Sequence, residues 1–108
     1  MYDAEHSETA LIAAIRAAFT RDRRLRQRHA DLTELRERLA SLTPREREVL
    51  PLVVGGLLNK QAAAVLGISN VTLQVHRGQI MRKMAAKSLA DLVRMASRLG
   101  IRQSVPPS

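Results

Sequence analysis

Between Thr43 and Gly100 the chain is punctuated by helix starts and glycine stops, and this punctuation limits its fold more sharply than any other feature. Thr43-Pro44-Arg45-Glu46 opens a helix: threonine can cap, proline at the first helical position loses no needed hydrogen bond, and glutamate completes a capping box. Val49, Leu50, Leu52 and Val53 follow before Gly55-Gly56, with Pro51 inside the segment, where it removes a backbone hydrogen bond and should bend the helix. Asn59 can cap a second helix over residues 60–66, and Gly67 supplies the left-handed residue that ends it. Ser69 caps a third helix running to about Met84. Ser88-Leu-Ala-Asp91 is another capping box, opening a last helix with Leu89, Leu92, Val93, Ala96 and Leu99 at core spacing before Gly100. The expected fold class is all-α: a four-helix domain over residues 42–103, a long N-terminal helix or helical linker over 1–41, and a disordered tail over 104–108.

The N-terminal segment lacks proline and glycine from Glu8 to Leu39 and favours helix throughout. Leu11, Ile15, Ala18 and Phe19 form one apolar stripe. Leu25, Leu32, Leu35, Leu39 and Leu42 fall on heptad positions, so this half is expected to be able to form a short coiled coil, interrupted by Arg28. The basic run from Arg21 to Arg28 between them reads as a solvated linker face.

Charge narrows the partner. Eighteen Lys plus Arg against ten Asp plus Glu give a net charge of +8, a field that attracts polyanions. Tyr2 and Phe19 are the only aromatic residues, and single-strand and RNA-binding folds stack bases on aromatic rings, so duplex DNA is the favoured partner. Cysteine is absent, which removes disulfides and thiolate metal sites, and no metal or cofactor is expected. The acids Asp3, Glu5 and Glu8 near the start do not read as a secretory leader, and no stretch reaches a membrane span, so a cytoplasmic protein with no membrane partner is expected.

Ala63, Gly67 and Leu73 have the spacing of a helix-turn-helix: a small residue where two helices cross, a glycine in the turn and an apolar anchor in the second helix. At about 100° per residue, Leu73, Ile80 and Met84 share one side of the third helix and should face the core. Val71, Gln74, Val75, Gly78 and Arg82 occupy the opposite arc, which offers an amide for adenine, methyl groups for thymine and a glycine that permits close approach. Thr72, His76, Gln79 and Lys83 form a flanking polar stripe of types that hold phosphates. Lys60, Ser69 and Asn70 complete the expected DNA-binding set. A polar helix face is usually just solvated and a lone histidine usually structural, and it is the turn motif together with seven bases against Asp91 over residues 59–98 that favours the DNA reading.

Leu42-Thr-Pro-Arg-Glu-Arg-Glu-Val-Leu50, Gly56-Leu-Leu-Asn-Lys60, Leu66-Gly-Ile-Ser69, Thr72, Val75-His76 and Lys83-Met84 resemble the C-terminal effector domain of LuxR-type regulators in the NarL/FixJ response-regulator family. The resemblance spans about residues 42–100. It implies four helices, the third in the major groove and the fourth often making a dimer contact, with Leu89, Leu92, Val93 and Ala96 as candidates, although any last helix in a small domain packs its apolar side inward and these residues can be shared between core and dimer. It also implies that Thr72, Gln74, Val75, His76 and Lys83 lie at DNA-contacting positions. Leu58, Ala62 and Gln74 depart from the residues common in the family, and the last should alter base preference. The N-terminal part resembles the final receiver helix and linker of such a regulator. No phosphoacceptor pocket can be assigned, so an effector fragment or truncated regulator that is not itself phosphorylated is expected.

The expected function is thus sequence-specific duplex DNA binding by a transcription regulator that is dimeric on DNA, with RNA polymerase as a further partner and no small-molecule ligand. Two alternatives remain: a sigma-factor-like polymerase-binding domain, which would not need a palindromic duplex, and a helical interaction module, which would show no salt-dependent DNA binding. No nucleophile elbow, phosphate loop or metal-ligand pair occurs, and His6, His29 and His76 are isolated, so no enzyme is expected.

Overall fold

The computed structural model describes residues 4–102, with side chains from Ser7 onward. The described residues form five α-helices: α1 (Ala4–Ala40), α2 (Pro44–Val54), α3 (Asn59–Leu66), α4 (Asn70–Lys83) and α5 (Leu89–Arg98). The all-α architecture expected from the punctuation is found. The side chains of Tyr2, Asp3, Glu5 and His6, and the tail expected over 104–108, lie outside the described residues.

The chain divides into two compact units, one up to Asp31 and one from Leu32. In the first, α1 is a single helix supported along its surface by local pairs. Arg26 meets Asp22 at 3.0 Å, and Gln27 donates to the Asp31 carboxylate at 3.0 Å, both four residues apart and therefore on one face.

The second unit begins at Leu32, upstream of Leu42, because the last turns of α1 carry Leu35, which is buried, and Leu39, which packs against the core. Those leucines, with buried Leu42 in the turn after α1, are consumed by the domain's own interior, while Leu25 is exposed. Leu35, Leu39 and Leu42 are therefore not available to a second helix. Around α4, which packs on α2 and α3, the core collects Val49, Leu50, Val53, Leu73, Ile80, Met84 and Leu92, all essentially inaccessible to water. Burying each such side chain is worth about 1.5–3 kcal/mol, which is what holds short helices that would be marginal alone.

Each of α2 to α5 closes by the same device. Leu57 N–H donates to the Leu52 carbonyl at 3.2 Å, Ile68 to Ala63 at 3.0 Å, Ala86 to Met81 at 3.0 Å and Ile101 to Ala96 at 2.9 Å. The residue before each donor is left-handed: Gly56, Gly67 and Gly100 with φ of 89°, 68° and 74°, and Ala85 with φ of 56°. This is the Schellman closure, and all four donor and acceptor residues pair one apolar side chain with another in or against the core. Three of the four left-handed positions were legible as glycines. Ala85 was not, and it holds a conformation that costs an L-residue about 1 kcal/mol or more.

Two local expectations are corrected. Asn59 is the first residue of α3 and not its cap; Leu58 stands at the cap, and its N–H is satisfied by Gln61 Oε1 at 2.9 Å. At α5, Ser88 accepts from Asp91 N–H at 3.1 Å as expected, but Asp91 returns its carboxylate to the N–H of Lys87 at 3.0 Å instead of that of Ser88. Pro51 lies inside α2, as expected, and the helix runs on to Val54 with Gly55 as its C-cap, closing through Leu57 within the next turn.

Because Ala85 is exposed and only its φ is costly, Ala85→Gly should stabilise the domain by about 1 kcal/mol and raise Tm by roughly 4–8 °C. Gly67→Ala, at open space but positive φ, should cost about as much. Thermal unfolding followed by circular dichroism checks both; a lower Tm for Ala85→Gly would contradict the account.

Candidate nucleic-acid interface

Helix α4 starts where Ser69, in extended conformation, accepts the Thr72 N–H at 3.1 Å, and its hydroxyl also donates to the Thr72 hydroxyl at 2.9 Å. That cap fixes the first turn, and Leu73, Ile80 and Met84, none with accessible surface, fix the rotation of the helix about its axis. The rest follows from geometry. Val71, Gln74, Val75, Gly78 and Arg82 face outward, together with Asn70 and Thr72, while His76 and Gln79 are half-buried at the edge. Lys60 is exposed on the first turn of α3.

Two properties of the outward arc are unusual for a solvated face. Val71 is 70% and Val75 56% exposed, so two β-branched apolar residues stand in water on a helix whose core side is already filled. Gly78 lies mid-helix with nothing within 4 Å of where a Cβ would stand, although glycine there costs roughly 0.5–1 kcal/mol relative to alanine. No crowding inside the domain requires it.

The polar residues separate into those free at the surface and those already committed. The Arg82 guanidinium donates to Gln79 Oε1, one turn earlier on the same helix. Lys83, by contrast, gives its ammonium to Glu46 Oε1 at 2.7 Å. Glu46 is only 3% exposed, and the same oxygen accepts the Thr43 N–H at 2.8 Å. Burial works to raise its pKa, but hydrogen bonds from Lys83 and the Thr43 N–H, the charge on Lys83 and the Thr43 side chain outweigh it and hold the carboxyl below the ordinary 4.5.

Three positioning contacts were not legible in the sequence. Arg77 Nη1 donates to Asn59 Oδ1 at 3.0 Å, tying the middle of α4 to the start of α3. Arg38, paired with Glu34 at 2.6 Å, donates to the Met84 carbonyl at 3.3 Å and so satisfies the C-terminal end of α4. Glu46 was readable as a capping glutamate, yet nothing in its spacing announced a lysine in α4. Contacts of this kind join residues far apart in the chain, and only capping motifs leave a local trace.

The expected dimer set divides between core and surface. Leu92 is 0% and Ala96 2% exposed inside the domain's own core, so neither has surface to offer a second copy. Leu89 is exposed and Val93 half-buried against the core.

A family description reading "Bacterial regulatory proteins, luxR family" matches residues 40–96. Nodulation protein W of Bradyrhizobium diazoefficiens is 46% identical over 91 residues, 84% of this chain and 40% of that protein. Response regulator protein TodT of Pseudomonas putida is 47% identical over 92 residues, 85% of this chain and 40% of that protein. Among solved structures, the response regulator StyR aligns with a TM-score of 0.75 at 42% identity, covering 84% of this chain and 46% of that one. Full-length FixJ from B. japonicum aligns with a TM-score of 0.66 at 39% identity, covering 86% of this chain and 46% of that one. The chain thus spans less than half the length of these relatives.

Glu46 contributes stability that is complete above about pH 4.5 and is lost as pH falls through its lower folded value. Lys83→Met should leave a buried carboxylate short of its cation, costing roughly 2 kcal/mol or more at pH 7. Freed of the ammonium, the carboxyl pKa should rise, so the penalty should shrink towards pH 4 as the group protonates. Urea unfolding of both proteins across that range measures it, and a penalty that stays constant with pH would show the pair to be energetically idle.

Proposed function

As this chain belongs to the luxR family of bacterial regulatory proteins, DNA-binding transcription regulators and not enzymes, we propose that α4 enters the major groove of duplex DNA and reads it there. The observation that carries this reading is the two-sided character of α4. One side is spent on the core, while the other exposes Gln74 between Val71 and Val75, with Gly78 one turn on. Valine methyl groups suit thymine, a glutamine amide can donate and accept at the adenine edge, and an unobstructed glycine lets the helix approach the groove.

Phosphates are held from the rim. Lys60 and Arg82 supply charge, and Ser69, Asn70 and Thr72 supply polar groups at the positive end of the α4 dipole, with His76 and Gln79 at the edge. Lys83 belongs to a different class: its ammonium is held by Glu46, so it positions α4 and is not proposed as a free phosphate ligand. Seven bases against one acid over residues 59–98 supply the long-range attraction. Two relatives matched over most of this chain are named response regulators, and this chain is proposed to serve as the DNA-binding part of such a regulator. On DNA, Leu89 and Val93 are proposed to meet their counterparts on a second copy, which would set the spacing of two half-sites.

Selection of bound duplexes from a random pool yields the preferred site. On that site Gln74→Ala should cost roughly 1–3 kcal/mol and relax selectivity at one base pair per half-site. Lys60→Ala should weaken all duplexes alike and make the slope of log affinity against log salt shallower by about one unit. A Gln74→Ala protein that selects the unchanged sequence would show that α4 does not read through this arc. For the dimer, Leu89→Asp should leave single half-site binding intact and abolish cooperative occupation of two; retained cooperativity would place the contact elsewhere.

A further inference from the structure

Arg82 enters the function proposed above only through its charge, yet it does not stand where a pure phosphate ligand belongs. Phosphates flank the groove, so the side chains that hold them come from the edges of a groove-bound helix and from its first turn. At about 100° per residue, Arg82 lies half a turn of the wheel from Leu73, which anchors α4 in the core. Val71, Val75, Gly78 and Arg82 follow one another at spacings of four, three and four, and all four are exposed, so they form one stripe along the middle of the outward arc. The Arg82 guanidinium donates to Gln79 Oε1, so the side chain is folded back along the helix towards the turn that carries Gly78. That turn is bare, with nothing within 4 Å of where a Gly78 Cβ would stand.

We infer that Arg82, held in place by Gln79, reads a guanine, an inference that rests on α4 occupying the major groove. Guanine alone presents two acceptors side by side there, N7 and O6, and a guanidinium fork matches them. Gln79 takes one of the five N–H groups of the guanidinium and leaves the others for a base. It also lowers a cost that weakens such contacts. A free arginine samples many rotamers and loses them on binding, whereas one tethered in the unbound protein has fewer to lose. Gly78 supplies the room: a side chain one turn before Arg82 on the same stripe would stand between the guanidinium and the base edges, and a bare backbone lets the helix come close. A glycine that no packing inside the domain requires thereby has a reason to be there.

A phosphate is the other target open to Arg82. Any cation would hold one, without a partner to fix its orientation and without a gap at Gly78. Base reading accounts for all three residues, and it also locates the guanine. A helix in the major groove advances about one base pair for every three to four residues, and Gln74 and Arg82 are eight residues apart. Each half-site should therefore hold a G·C pair about two base pairs from the A·T pair read by Gln74.

Selection of duplexes from a random pool by the full chain and its variants tests this. The parent should select the G·C pair. Arg82→Lys keeps the charge but loses the planar fork, so the preference for G·C over A·T at that pair should fall by roughly five- to 150-fold while the slope of log affinity against log salt is kept. Gln79→Met keeps the length of the side chain without the acceptor and should relax the same pair. Gln79→Glu restores an acceptor and should recover the preference, a rescue that a merely structural role would not show. A parent site with no fixed G·C pair near the A·T pair overturns the assignment. So does an Arg82→Lys protein that selects the parent's sequence, or a Gln79→Met protein that keeps the preference. If Gln74→Ala relaxes its own pair while Arg82→Lys relaxes none, Arg82 supplies charge only and α4 still reads the groove; if neither changes the selected sequence, α4 does not read through this arc at all.

Discussion

The DNA-binding domain depends on one buried carboxylate. Glu46 uses a single oxygen to cap α2 through the Thr43 N–H and to hold the last turn of α4 through Lys83. A buried charge is tolerable only when it is paired and hydrogen-bonded, and here both conditions are met, by the Thr43 N–H beside it in sequence and by Lys83 of α4, remote in sequence. The pair therefore contributes register more than net stability: if α4 rotated or slid, Lys83 would leave a carboxylate unpaired in the core. The Arg38 guanidinium on the Met84 carbonyl and the Arg77 bond to Asn59 fix the same helix at its end and middle. Three contacts and three buried side chains thus determine which residues α4 can turn outward.

What it turns outward carries a cost that packing does not explain. Exposed Val71 and Val75 add β-branched residues to a helix surface, and Gly78 weakens its interior. Local preferences that conflict with the fold tend to mark places where function sets the residue. On this helix all three fall on the arc opposite the core, and the groove reading accounts for them together.

Much of this was legible because helix boundaries and core faces are written in nearby residues. The Thr43, Ser69 and Ser88 caps, the glycines at 56, 67 and 100, and the 3.6-residue spacing of Leu73, Ile80 and Met84 each depend on residues within about a turn or two. The rotation of α4, and with it the outward arc, followed from that spacing. Where the reading failed, a residue had two plausible partners. Asn59 suited a cap but serves Arg77, Lys83 suited a phosphate and is engaged by Glu46, and Leu92 and Ala96, open between core and dimer in the sequence, fill the core. The heptad leucines suited a coiled coil until Leu35, Leu39 and Leu42 were drawn into the domain.

By itself, then, the sequence determined the class of fold, the order and ends of the helices, the turn between α3 and α4 and the strongly basic field, because periodicity, capping and charge are local or additive properties. Only the tertiary structure decided which polar and apolar groups are spent inside the domain and which remain for a partner. That allocation depends on distances between residues such as Glu46 and Lys83, or Arg38 and Met84, that are remote along the chain and adjacent only once the helices have packed.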